Sequence, residues 1–171
     1  MLKLKTERLT YALMNADDVD LMLDLNSDPE VMHYINGGNP TCRKEMMESH
    51  IPRMESFSNF EKGRGLWKAV TKDTNEFIGW FMLKYLADFP GEIEMGWRLK
   101  KKFWGKGYAT EGAAMLCDFA KKQHGINKVF ATALPENINS HKIMKKIGMK
   151  YIKTAHHHDP AFPEIVAYYE L

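Results

Sequence analysis

The stretch EIEMGWRLKKKFWGKGYATEGA, residues 92–113, holds the residues best placed to do chemistry. A strand-like run ends in three consecutive cations, Lys100, Lys101 and Lys102. A short loop with Gly105, Lys106 and Gly107 follows, and helical periodicity starts directly after it. Glycines let a backbone turn tightly and let a ligand approach its peptide groups. The first N–H groups of the next helix have no partner inside it, and with the helix dipole they form an anion site suited to phosphate or pyrophosphate. The plain alternative is a solvated basic turn ahead of an ordinary helix. Two other phosphate loops do not match. A P-loop needs Ser or Thr after Gly-Lys, and Gly107 stands there; a dinucleotide fingerprint needs a third glycine where this chain has Thr110.

Strand alternation places Glu92, Glu94, Gly96 and Arg98 on one face of residues 92–99, with Ile93, Met95, Trp97 and Leu99 on the other. A run of His156, His157 and His158 followed by Asp159 invites a metal reading. On an extended segment only His156 and His158 share a face, and no other histidine lies nearby in sequence, so a polar loop bounded by Asp159-Pro160 and Pro163 is the expectation, with no metal. Asp17, Asp18, Asp20, Asp24 and Asp28 form an acidic stretch, read first as a solvated helix face whose early acids complement the dipole. Tyr168 and Tyr169 alternate across the last strand, one toward the core and one toward cleft or solvent.

These residues need elements to hold them. Strands are expected at residues 7–14, 66–72, 76–86, 92–99, 128–134, 149–154 and 164–171, each rich in aromatic and β-branched residues or bounded by turns. Helices are expected from Asn15 to Leu25, broken by Asp28-Pro29; after Thr41, kinked or divided by Pro52; after Gly107; and from about Ser140 to Ile147, closed by Gly148. The order predicts a mixed α/β sheet of seven strands in one domain spanning residues 1–171, antiparallel at first.

Composition agrees. The chain has 171 residues, 44% hydrophobic and 27% charged, with 24 Lys and Arg against 22 Asp and Glu for a net charge of +2. A nucleic-acid module would be more basic. No run of about 18 apolar residues occurs, the start MLKLKTERLT lacks a signal-peptide core, and Cys42 and Cys117 form no framework. The expectation is a soluble cytoplasmic protein that binds neither nucleic acid nor membrane.

The segment KKFWGKGYATEG resembles the acyl-CoA pyrophosphate loop of the GNAT N-acetyltransferases, Gln/Arg-x-x-Gly-x-Gly/Ala, with Lys102 in the first place and Gly105 and Gly107 in the glycine places. TERLTYALMNADDVDLMLDLNSDPEVMHYI resembles the amino-terminal region of the branch that acetylates ribosomal-protein amino termini. EIEMGWRL is similar to its central strand, and NINSHKIMKKIGMKY to its second CoA-binding motif. The resemblance covers nearly the whole chain.

The resemblance implies a splayed, mostly antiparallel seven-stranded sheet flanked by helices, with acetyl-CoA as co-substrate between the strand ending at Leu99 and the strand 128–134. By that implication Leu99 and Lys100 hold the pantetheine and polarise the thioester carbonyl. Lys102, Trp104, Gly105, Lys106, Gly107, Tyr108, Ala109 and Thr110 form the pyrophosphate loop, and Asn137 reaches the pantetheine arm from the far side. Acetyl transfer to an amine needs a proton acceptor, oxyanion stabilisation and sometimes an acid for the thiolate. Glu94 is the candidate base, directly or through water, against a structural role in pairing with a neighbouring cation or capping an amide. Ser140 is the candidate acid or sulfur ligand, because the family's commoner tyrosine position is Met144 here; its plain role is first-turn helix residue, with Asn137 or Asn139 as cap. The acceptor is an amine: a protein amino terminus, a polyamine or another small amine. A homodimer stays open. The rival reading is a non-catalytic acyl-CoA-binding or regulatory domain.

Overall fold

Residues 3–86 and 88–171 are described by the structure, a computed structural model. Eight strands form one sheet: β1 (Leu4–Lys5), β2 (Leu9–Leu13), β3 (Gly65–Thr71), β4 (Phe77–Tyr85), β5 (Glu92–Leu99), β6 (Lys128–Ala133), β7 (Lys150–His156) and β8 (Ile165–Glu170), ordered β1-β2-β3-β4-β5-β6-β8-β7. Every neighbouring pair is antiparallel except β5 with β6. The sheet thus has one strand more than the seven expected. The addition is β1, whose two residues pair with Thr10 and Tyr11 and are too few to leave a period in the sequence.

The parallel pair is the feature that positions the site. β5 and β6 are in register only at Glu92–Lys128, Ile93–Val129 and Glu94–Phe130. Beyond that rung β5 continues against β4 as far as Leu99, and β6 continues against β8 as far as Ala133. The two strands part there, and the sheet opens into a V.

Helix α1 (Val19–Asn26) follows a capping box in which Asn15 accepts from the Asp17 amide and the Asp18 carboxylate accepts from the Asn15 amide. Asp28-Pro29 ends α1 but also starts α2 (Pro29–Asn36), which sequence reading passed over: Asp28 accepts from the Glu30 amide, and Pro29 occupies the first turn, where no N–H is needed. Next come α3 (Arg43–Glu45), a π turn over Met46–His50 and α4 (Ile51–Phe57). The widened turn lies just ahead of Pro52, which can donate no backbone hydrogen bond.

Helix α5 (Tyr108–Lys121) buries Ala113, Leu116, Cys117 and Ala120 against Ile78, Phe81 and Met95. Its approach depends on Gly112, where a Cβ would lie 2.2 Å from the Phe81 ring. Helix α6 (Ile138–Lys146) packs on α5 and β6. On the opposite face of the sheet, Met14, Met22, Met46, Ile51, Met54 and Leu66 form a second core. Among the described residues, no helix is long and apolar enough to cross a membrane.

Candidate active site

The loop before α5 has the backbone of an anion cradle. Gly105 and Gly107 sit at φ of 74° and 82°, the left-handed region that other residues rarely adopt. Gly107 caps α5 and brings no side chain to its first turn. Among the described residues, no protein group accepts the amide hydrogens of Gly105 through Thr110; the first of the helix to find a partner is Glu111, bonded to Gly107 O at 3.0 Å. Arg8, which sequence reading missed, braces this loop from the start of β2. Its guanidinium donates to Lys106 O at 2.9 Å and to Glu111 Oε2 at 2.6 Å, and stacks 4.2 Å from the Tyr108 ring centroid. No motif could have announced it, since Arg8 and Glu111 lie 103 residues apart.

The lysine cluster is less free than its letters suggest. Lys100 pairs with Asp24, Lys101 with Glu30 at 2.5 Å and Lys102 with Glu76. Such solvent-screened pairs contribute little, so a polyanion can displace them cheaply. Lys106 lies over the Phe103 ring at 5.7 Å.

The open edge of β5 follows from strand parity. Lys100 N–H donates to Ile78 O at 2.8 Å, so even-numbered residues turn their peptide groups to β4 and odd-numbered ones, Trp97 and Leu99 included, turn theirs to the gap. One of those groups is already taken: Trp104 Nε1 donates to Leu99 O at 2.8 Å, which ties the loop to the end of β5.

On the opposite rim, Asn137 caps α6, its Oδ1 accepting from the Ser140 amide at 3.2 Å. The plain capping role is therefore filled by Asn137 itself, leaving its amide nitrogen available. The Ser140 hydroxyl is half-buried and, among the described residues, bonds to no protein group.

Glu94 occupies the last rung before the strands part and is 7% exposed. His157 Nε2 lies 3.2 Å from its Oε1 and His158 Nε2 3.4 Å from its Oε2. Burial alone pushes this carboxyl up; the two histidines outweigh burial and bring it down to about 2. The alternation argument for the histidines fails here because β7 ends at His156. The chain then leaves the extended conformation, and both His157 and His158 fall on Glu94 while His156 turns outward to Pro163 O. The loop is pinned by Asp159, which meets Arg53 of α4 at 2.6 Å and Lys84 of β4 at 3.1 Å.

Glu94, His157 and His158 bring three ligand atoms within 4.8 Å of one another. Protonation argues for a proton network rather than a cation. The Asp159 amide donates to His157 Nδ1 at 3.1 Å, so the ring hydrogen of neutral His157 sits on Nε2, facing Glu94, where a metal would need a lone pair. His158 differs: its ring nitrogens are buried and, among the described residues, neither makes a hydrogen bond, Nε2 facing Glu94 Oε2 at 3.4 Å, and the ring meets Phe130 edge-on at 5.6 Å.

The acidic stretch resolves into structural roles. Asp18 is buried against Lys68 at 2.6 Å, Asp20 pairs with Arg43, Asp24 with Lys100, and Asp28 caps α2. Tyr169 faces the core, and Tyr168 lies over Phe130 on the Glu94 side.

Comparison with known proteins matches this architecture. Residues 8–150 match the acetyltransferase (GNAT) domain family. The uncharacterized N-acetyltransferase p20 of Bacillus licheniformis is 30% identical over 86% of this chain and 82% of its own length. The FsC-acetyl coenzyme A-N(2)-transacetylase of Aspergillus fumigatus is 28% identical over 88% of this chain, which spans 66% of that relative's length. Among solved structures, a GNAT acetyltransferase from Bacillus anthracis superposes with a TM-score of 0.79 at 25% identity, covering 99% of this chain and 98% of its own. RimL, a ribosomal L7/L12 α-N-protein acetyltransferase in complex with coenzyme A, shares the fold at a TM-score of 0.80 and 12% identity, over 99% and 97% of the two chains. With its parted β5–β6 pair and glycine-capped helix in the family's order, this chain belongs to the GNAT acetyltransferases.

Proposed function

We propose that the protein transfers an acetyl group from acetyl-CoA to a primary amine by direct attack in a ternary complex, with a protein amino terminus as leading acceptor and a small amine second. The observation that carries this reading is the coincidence of two features on one rung. The V opens at Glu94–Phe130, and Glu94 with its histidines stands on that rung.

The residues suit the co-substrate. Six successive unpartnered amides, with Lys102 and Lys106 beside them, match a diphosphate. The outward peptide groups of β5 match an extended pantetheine amide, and the Asn137 amide nitrogen faces the same arm. Bound acetyl-CoA supplies an activated thioester carbonyl.

Proton affinity decides who takes the proton. The two histidines hold the Glu94 carboxyl well below the ordinary carboxylate range, so taking a proton from an α-ammonium is strongly uphill for it. Glu94 is therefore a poor direct base and a good counter-ion. His157 has both nitrogens engaged, so His158 accepts the ammonium proton, and Glu94 stabilises the imidazolium. The amine nitrogen then forms the C–N bond as the C–S bond breaks, the electron pair leaves with sulfur, and the second amine proton passes to the thiolate, with the Ser140 hydroxyl as the candidate carrier.

The test is free-thiol release from acetyl-CoA with an amino-terminal peptide and with a small amine, read beside thermal stabilisation by acetyl-CoA. Stabilisation should rise with the logarithm of concentration, and thiol should appear only when an amine is added. Stabilisation without amine-dependent thiol would overturn the transfer reading.

A further inference from the structure

On the Glu94 side of the sheet a cleft of about 300 Å³ lies over the paired rungs of β5 and β6, short of where they part, lined by Leu86, Phe89, Phe130, Ile152 and Tyr168, with His158 in its wall. Its apolar rim is exposed: Phe89 is 47% and Ile152 46% accessible. Because His158 also touches Glu94 and Phe130, the cleft and the proton-accepting corner share a wall.

The charges around this cleft cancel. Glu92 and Glu170 both lie against Lys128, at 2.9 and 3.6 Å, and Lys153 stands 5.3 Å from the Tyr168 ring centroid. Two carboxylates and two lysines thus line the cleft. Deeper in, Glu94 faces His157 and His158, and Asp159 of the same loop is held by Arg53 and Lys84. The acids of the α1 region do not line this cleft: Asp18 is buried against Lys68, Asp28 caps α2, and Asp20 and Asp24 pair with Arg43 and Lys100 at the surface. A polyamine needs several uncompensated carboxylates, and the described residues that line this cleft offer none in excess. An apolar body needs a dry aromatic wall, and this surface offers one.

We propose that this cleft is the acceptor site and that it selects a monoamine carrying one apolar or aromatic group, rather than a polyamine. The inference rests on the acetyl-transfer reading and names its substrate class. The ammonium sits at His158, and the apolar group lies between Phe130, Tyr168 and Ile152. A peptide amino terminus with an apolar first residue and a free small amine present the same chemistry, so both are tested.

The experiment compares kcat/KM for phenethylamine, for a short peptide beginning with phenylalanine, and for spermine. The two apolar acceptors should exceed spermine by about tenfold or more, and the better of the two identifies the source. Ile152→Lys, at an exposed position, should lower kcat/KM for the apolar acceptors about tenfold while leaving acetyl-CoA affinity within about twofold. Lys128→Gln frees Glu92 and Glu170 and should narrow the gap to spermine. Equal or better use of spermine by the unaltered protein, or indifference of the apolar acceptors to Ile152→Lys, would overturn the assignment. Thermal stabilisation by phenethylamine and by spermine, each with coenzyme A present, separates the two readings. Saturable phenethylamine binding without thiol release would sink the transfer and keep the cleft. Turnover without apolar preference would sink the cleft and keep the transfer. No binding of phenethylamine sinks the cleft outright.

Discussion

The glycine loop before α5 and the carboxylate corner under the β7–β8 loop are built in opposite ways. The loop is contiguous: Gly105 to Thr110 carry their own geometry, and their function rests on peptide groups that any side chain could accompany, apart from the glycines. The corner is assembled from distant pieces, Glu94 on β5 with His157 and His158 that lie 63 and 64 residues further on, plus Asp159 anchored to α4 and β4. A backbone site is fragile to steric insertion and tolerant of polar exchange. A side-chain network has the reverse weakness.

That contrast can be broken at its strongest point first. Gly107→Glu imposes a left-handed φ of 82° on a residue with a Cβ and sets a carboxylate among the amides proposed to bind the diphosphate. Calorimetric titration should show loss of acetyl-CoA binding, and retained affinity would remove the loop from the cofactor site. Glu94→Gln keeps the shape and removes the charge that steadies an imidazolium. It should lower kcat by about 10²-fold with acetyl-CoA affinity nearly intact, the scale of general acid–base effects.

The same substitution has a signature in stability. Glu94 drops from its ordinary 4.5 to about 2 on folding, so its charged form contributes stability that is fully present above 4.5 and lost as pH falls toward 2. Chemical denaturation across that window should show a shallower loss for Glu94→Gln than for the parent. A parallel pair of curves would mean that the histidines do not hold the carboxylate as described.

Asp159→Asn tests how far the corner depends on its anchor. Freed from Arg53 and Lys84, the loop should swing both histidines off position and reduce kcat roughly tenfold, with proteolytic nicking at 157–164 as an independent readout. The smallest effect is expected at Asn137→Ala, where loss of the α6 cap costs about 1 kcal/mol of stability, read from the denaturation midpoint, and where any further rise in acetyl-CoA Kd reports the amide nitrogen's share in binding.

Legibility in the sequence follows the same division. The strands from β3 to β6, helix α5 and the glycine loop are readable because period, turn letters and helix start coincide locally. β1 and α2 are not, the first for want of length and the second because Asp28-Pro29 serves equally as the end of one helix and the start of the next. In the corner, Glu94 could be named from its strand, but its partners could not, since alternation predicts nothing once His157 leaves β7. Arg8 stands in the TERLT stretch, but nothing local marks its partner Glu111, 103 residues away.

What the amino-acid order determined alone is therefore most of the elements and the glycine loop ahead of α5, because both arise from interactions a few residues apart. Only tertiary structure decided that β5 and β6 part after three rungs, that two histidines converge on one carboxylate, and that every acid near α1 but Asp17 is already engaged. Those outcomes depend on which distant charges meet in a low-dielectric fold, and no spacing along the chain encodes that meeting.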